Sequence, residues 1–98
     1  MTIRLLYDVT GSHHGQVDGL VVAYAGDEPV GQLDYSMFRG VPRIDMITVR
    51  QSWRRQGIAT AMLDRLRLEL GPLAARLDWG ATTSDGTALR RAYQARTA

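Results

Sequence analysis

The chain reads as an α/β sandwich: one mixed, mostly antiparallel sheet with two helices packed on it, in the order β-β-β-β-α-β-α. Three observations point there. The first half is a succession of β-prone runs separated by turns of a few residues, which favours antiparallel neighbours. From Gly57 onward, apolar residues recur every four positions, the period of an amphipathic helix. After Gly71-Pro72 come a short apolar run and a second helical pattern, and a strand reached through a helix favours a right-handed crossover. A length of 98 residues suits one core with little to spare, so residues 1–98 are expected to form one domain.

Residues 3–10 (IRLLYDVT) form the first expected strand, and residues 11–16 (GSHHGQ) a turn or short loop. Residues 17–25 (VDGLVVAYA) are rich enough in Val, Leu and Tyr for a central strand. Gly26-Asp27-Glu28-Pro29 turns the chain. In residues 30–38, Val30, Gln32 and Asp34 alternate with Gly31, Leu33, Tyr35 and Met37, the period of a half-exposed strand. Residues 39–42 turn again, and residues 43–49 make the fourth strand. The helix over 57–70 carries Ile58, Met62, Leu66 and Leu70 on one stripe, widened by Ala59 and Leu63, with Arg65 and Glu69 paired on the exposed side. Gly71-Pro72 stops it. Residues 77–82 (LDWGAT) form a fifth strand. Ser84 or Asp85 caps a last helix over 86–96, with Leu89, Ala92, Tyr93 and Arg96 on one side.

Composition narrows the function. At 45% hydrophobic and 22% charged the chain is an ordinary globular one. No apolar run approaches the roughly 18 residues of a membrane helix, and the N-terminus lacks the order of a signal peptide, so a cytoplasmic location is expected. Without cysteine there is no thiol nucleophile, disulfide or thiolate metal site. His13 and His14 are adjacent in a turn, a poor geometry for a metal. All 12 basic residues are arginine. Only Arg50, Arg54 and Arg55 are bunched near a candidate site, and a scattered set argues against a nucleic-acid binder.

The informative stretch is residues 44–70. A β-branched run breaks at an arginine-rich turn and restarts at Gly57 as a helix. Unpartnered amides and the helix dipole make such a start an anion site. The plainer reading is a helix start flanked by solvated arginines.

RRQGIA, Arg54 to Ala59, resembles the R/Q-x-x-G-x-G/A signature of the GNAT superfamily of acyl-CoA-dependent N-acyltransferases. Val49 and Trp53 lie where that family usually has a valine and an aromatic. Gln51 replaces a common proline and Arg55 a frequent glycine. The hairpin AGDEPVGQLDY and the segment TTSDGTALRRAY are similar to further parts of the family, so the likeness spans about residues 17–95. It implies acetyl-CoA, or another acyl-CoA, as co-substrate. Arg54, Arg55, Gln56, Gly57, Ile58, Ala59 and Thr60 would hold the pyrophosphate, and Ile47, Thr48 and Val49 the pantetheine arm, in the splay between strands ending near Val49 and Thr82.

The same resemblance implies transfer of an acetyl group to an amine, with Asp45 as base and Tyr93 as the acid that meets the thiolate. Tyr93 also fits a core position four residues after Leu89, and Asp45 a surface strand position. Asp34 and Asp78 are alternatives as base. Relative to a typical member, six residues (11–16) stand where two helices usually wall the acceptor site, and the two strands that usually follow the last helix are not expected, as in compact members of about this length. Some of those are thought to use a cysteine, which this chain lacks. Three expectations follow: an open site for a bulky amine such as a protein, completion by a second copy as a homodimer through an uncovered sheet edge, or a catalytically inactive acyl-CoA-binding or protein-interaction module.

Overall fold

A computed structural model describes residues 2–79 and 84–97. Four strands, β1 (Ile3–His13), β2 (Gln16–Ala25), β3 (Glu28–Phe38) and β4 (Val41–Val49), form an antiparallel sheet in chain order. A 3-10 turn, Gln51–Trp53, leads toward helix α1 (Ile58–Leu70). A second 3-10 segment, Gly71–Arg76, precedes helix α2 (Ser84–Thr97). No helix among the described residues is long and apolar enough to cross a membrane.

The expected elements are present, with revisions. β3 and β4 begin at Glu28 and Val41, inside the expected turns, and α2 begins at Ser84, so Ser84 and Asp85 belong to the helix rather than cap it. β1 runs on to His13, because His14 and Gly15 both take positive φ and close a two-residue hairpin turn where a longer loop was expected. Val30, assigned by alternation to the polar side of its strand, is fully buried. The register explains it: Ala23 pairs with Gly31 and Tyr24 with Pro29, so Val30 is the extra residue of a bulge that turns it inward. The expected fifth strand is, over its described part, a single parallel bridge. Asp78 donates its amide to Pro42 O and accepts from Ile44 N, both at 2.8 Å; the rest of residues 77–82 lies outside the described residues. On α2, Leu89 is half-buried and Tyr93 buried, but Ala92 is exposed, and the side chain of Arg96 lies outside the described residues.

One face of the sheet is covered by α1. Ile58, Met62, Leu63, Leu66 and Leu70 are buried against Val21, Ala23, Leu33, Tyr35 and Ile44. Each such side chain contributes roughly 1.5–3 kcal/mol on burial, whereas an isolated helix of this length is marginal in water. Packing therefore decides α1. Arg65 Nε donates to Glu69 at 3.0 Å on its outer side, as the spacing suggested. Helix α2 docks beside α1 through Tyr93, whose hydroxyl donates to Asp64 Oδ1 at 2.7 Å and whose ring lies 6.1 Å from that of Trp79. On the opposite face Leu6 and Met46 stay about half exposed, at 46% and 51%.

At the far end of the core, the Tyr35 ring occupies the space a side chain at residue 19 would need. A Cβ on Gly19 would lie 2.5 Å from Tyr35 Cε1. Gly19→Ala is therefore expected to cost about 2 kcal/mol by overpacking, read as a lower urea midpoint. Burial, and then the hydroxyl of Tyr7 bonded to it, hold the Tyr35 phenol well above the ordinary tyrosine range. A raised folded-state value gives stability that is intact below about pH 10, where unfolded tyrosine titrates, and is lost as pH rises beyond it. The denaturation midpoint should fall on the alkaline side of that value, and Tyr35→Phe should shrink the fall.

Candidate active site

The loop between β4 and α1 is fastened at both ends. Arg50 N donates to Val30 O at 2.9 Å, and the Arg50 side chain pairs with Glu28. Arg54 Nε reaches back to Val49 O at 3.2 Å. Arg55 and Gly57 both have positive φ, 65° and 77°. Gly57 is the residue before the first helical one, and Ala61 N donates to its carbonyl at 2.9 Å, the first bond of the helix. The amides of Ile58, Ala59 and Thr60 precede that bond and have no helical acceptor. No side chain caps them, and the first turn contains no acid. Arg54 and Arg55 are exposed and form no ion pair among the described residues. The result is a short row of outward amides with two guanidinium groups alongside, at the positive end of a helix dipole. Its chemistry suits a phosphate.

The residues expected to hold a cofactor differ in how they can act. Ile58 is buried in the core, so only its amide is available. Ala59 and Thr60 are half-buried, while Gln56 is exposed. Ile47 and Val49 pair with Leu33 and Gly31 and pack against the core, so they too offer backbone rather than side chain. Thr48, opposite Gln32, is exposed. Beyond the Asp78 bridge at Pro42 and Ile44 and the Arg54 side chain on Val49 O, no further described residue bonds to the outer edge of β4. That edge and the α1 amides are adjacent, joined by the loop.

Asp45 sits in a bulge of β4. Tyr35 pairs with Ile44 and Asp34 with Met46, which leaves Asp45 as the extra residue, exposed and turned to the side of Ser36. Ser36 Oγ donates to Asp45 Oδ1 at 3.2 Å. About 13 Å of strand separates it from Val49. Asp34 accepts from Gln32 Nε2 at 2.9 Å, and Asp78 is fixed by its bridge. Tyr93 is placed otherwise: 4% exposed, it donates to Asp64 and accepts from Arg67 Nη1 at 3.4 Å, both on α1. Burial raises its pKa, so the hydroxyl keeps its proton. His13 Nδ1 lies 3.9 Å from Asp18 Oδ2 at a hairpin end.

The structure brings the loop residues together and leaves Asp45 and Tyr93 on different elements. The bulge was the feature that alternation alone missed. It shows in the structure as inward Ile44 and Ile47 three residues apart, out of step with a period of two.

Gly57 illustrates a constraint of conformation rather than space. A Cβ there would meet nothing within 4 Å, yet φ of 77° disfavours any side chain. Gly57→Ala should cost about 1–2 kcal/mol, seen as a lower melting temperature, with Gly57→Asn milder.

Comparison with known proteins agrees with the fold. The family model for the acetyltransferase (GNAT) family matches residues 3–96. A GNAT family acetyltransferase from Streptococcus pneumoniae superimposes with a TM-score of 0.70 at 14% identity, covering 95% of this chain and 86% of its own. AAC(6')-Iy, solved with the bisubstrate analogue CoA-S-monomethyl-acetylneamine, gives 0.58 at 22% identity over 80% of this chain, which spans 59% of that one. The ribosomal-protein-S18-alanine N-acetyltransferase of Escherichia coli gives 0.59 at 17% identity over 83% of this chain and 53% of its own. No curated protein matches the sequence. The family match over nearly all of its length establishes that the chain belongs to the GNAT acetyltransferase family.

Proposed function

We propose that this protein is a cytoplasmic acetyl-CoA-dependent N-acetyltransferase acting on an amine of a protein or small molecule. The observation that carries the reading is the start of α1: the uncapped, acid-free first turn after left-handed Gly57, with Arg54 and Arg55 beside it. In this reading the amides of Ile58, Ala59 and Thr60 hold the pyrophosphate, Gln56 and the two arginines flank it, and the backbone of Ile47, Thr48 and Val49 pairs with the amides of the pantetheine arm.

The arm then runs along β4 toward Asp45. The acceptor nitrogen attacks the thioester carbonyl, a C–N bond forms and the C–S bond breaks. Asp45 takes the proton the amine must lose, directly or through one water, with Ser36 holding its carboxylate in place. The leaving thiolate takes a proton from Tyr93, which must first turn from Asp64. Direct joining of β1 to β2 through His14-Gly15 leaves Asp45 open to a bulky acceptor. A second reading, an acyl-CoA-binding module without transfer, is favoured by one observation: the Tyr93 hydroxyl is already committed to Asp64.

Calorimetric titration of acetyl-CoA is the test of the cofactor site. Micromolar binding is expected, abolished in Gly57→Glu, which sets a carboxylate where phosphate should lie. No heat at millimolar acetyl-CoA would sink both readings. With binding in hand, Asp45→Ala should lower kcat by about 100-fold or more against a competent amine, with little change in the affinity for acetyl-CoA. Tyr93→Phe should lower kcat similarly if its proton is used. Unchanged turnover in Tyr93→Phe would remove that residue from the chemistry.

A further inference from the structure

We propose that β1 is a self-complementary edge through which two copies of this chain join their sheets, antiparallel and centred on Leu6. The inference is independent of the acyl-CoA reading. Strand order leaves β1 paired only with β2 among the described residues, so its outer backbone groups face away from the sheet. An open edge of this length is a template for another strand, and proteins usually protect it with proline or with like charges that repel a copy. β1 contains no proline, and its charges do the opposite.

The usable part of the edge is set by its bulge. Val9 pairs with Gly19 and Gly11 with Asp18, so Thr10 is extra and the regular ladder covers residues 3–9. Its midpoint is Leu6. Full overlap of two such segments about a two-fold axis places Leu6 against Leu6, Arg4 against Asp8, Leu5 against Tyr7 and Ile3 against Val9. On the open face, each end of the Leu6 pair is then closed by an opposite-charge pair. Centring on Leu5 or Tyr7 instead sets Arg4 or Asp8 against Leu6 and forfeits both charge pairs. Charge complementarity thus selects a single register, the one that also uses the whole ladder.

The present surroundings of these side chains fit an edge awaiting a partner. Leu6 and Val9 are 46% and 50% exposed. Arg4 and Asp8 are exposed; Arg4 lies over the Tyr24 ring at 4.8 Å, and Asp8 forms no ion pair or side-chain hydrogen bond among the described residues. With paired residues of like parity, the axis runs through the sheet, so both α1 helices fall on one side. The two four-stranded sheets become a continuous one, an isologous contact that closes as a dimer.

Sedimentation equilibrium decides the matter. The native protein is expected to dimerise reversibly at concentrations on the order of 10–100 µM, as suits a contact smaller than a standard interface. Arg4→Asp sets a carboxylate against Asp8 of the other copy, and Asp8→Arg sets a guanidinium against Arg4. Each variant alone should associate at least about tenfold more weakly. Mixed in equal amounts they should regain native association, since every cross-strand pair in the mixed dimer is again opposite in charge. Both positions are exposed, and circular dichroism checks the fold. The chain has no cysteine, so mild oxidation of Leu6→Cys should give a linked dimer while Arg4→Cys, its copies about 14 Å apart along the strands, should not. A native protein that stays monomeric at about 100 µM overturns the proposal, as does a dimer that both charge variants leave intact or an equimolar mixture no tighter than its components.

Discussion

Helix α1 can offer its first turn to a phosphate only because the sheet lets it sit close. A Cβ on Gly31 would lie 3.1 Å from Ile58 Cγ2 and 3.2 Å from Met62 Cε, so the glycine is where the helix start is pressed down onto β3. The adjoining Val30 is turned inward by its bulge and gives its carbonyl to Arg50 N, pinning the beginning of the loop. Arg54 pins the middle through Val49 O, and Gly57 supplies the left-handed turn into the helix. These constraints on one side of β3 and β4 aim the α1 amides at the outer edge of β4. None of them depends on the residues that would carry out acyl transfer.

Much of this was legible in the sequence. The stripe Ile58, Met62, Leu63, Leu66, Leu70 is buried as its spacing implied, because a four-residue period has one packing solution against a sheet. The loop was legible too, since a glycine just after two arginines, between a β-branched run and a helical stripe, has few physical uses. What escaped were the departures from period two. Bulges at Val30 and Asp45 depend on register against neighbouring strands, which no single run of residues contains. The roles of Asp45 and Tyr93 were the least legible. Tyr93 sits at a helical spacing from Leu89 that a core residue shares, and its hydroxyl partners, Asp64 and Arg67, come from a helix nearly thirty residues away in sequence.

The two faces of the sheet divide the chemistry. The α1 face is apolar and tightly filled, down to the Tyr35 ring over Gly19. The opposite face, with Asp34, Ser36, Asp45 and Met46 on adjacent strands, is polar and partly open. The bulge in β4 matters because it keeps both Asp45 and Met46 on that open face while Ile44 and Ile47 remain inward. A regular strand would have turned one of the pair into the core.

Because strand order equals chain order, each pairing of β1 to β4 among the described residues is a hairpin closed by a tight turn, at His14-Gly15, Gly26-Asp27 and Arg39-Gly40. Loop closures this short cost little chain entropy, and topologies rich in local contacts fold quickly. The sheet can zip strand by strand from either end. The docking of α1 and α2 and the bridge of Asp78 to β4 are the long-range contacts among the described residues. The amides that would grip a phosphate thus depend in part on contacts far apart in the chain, so a ligand held there would stabilise the docking of α1 on the sheet.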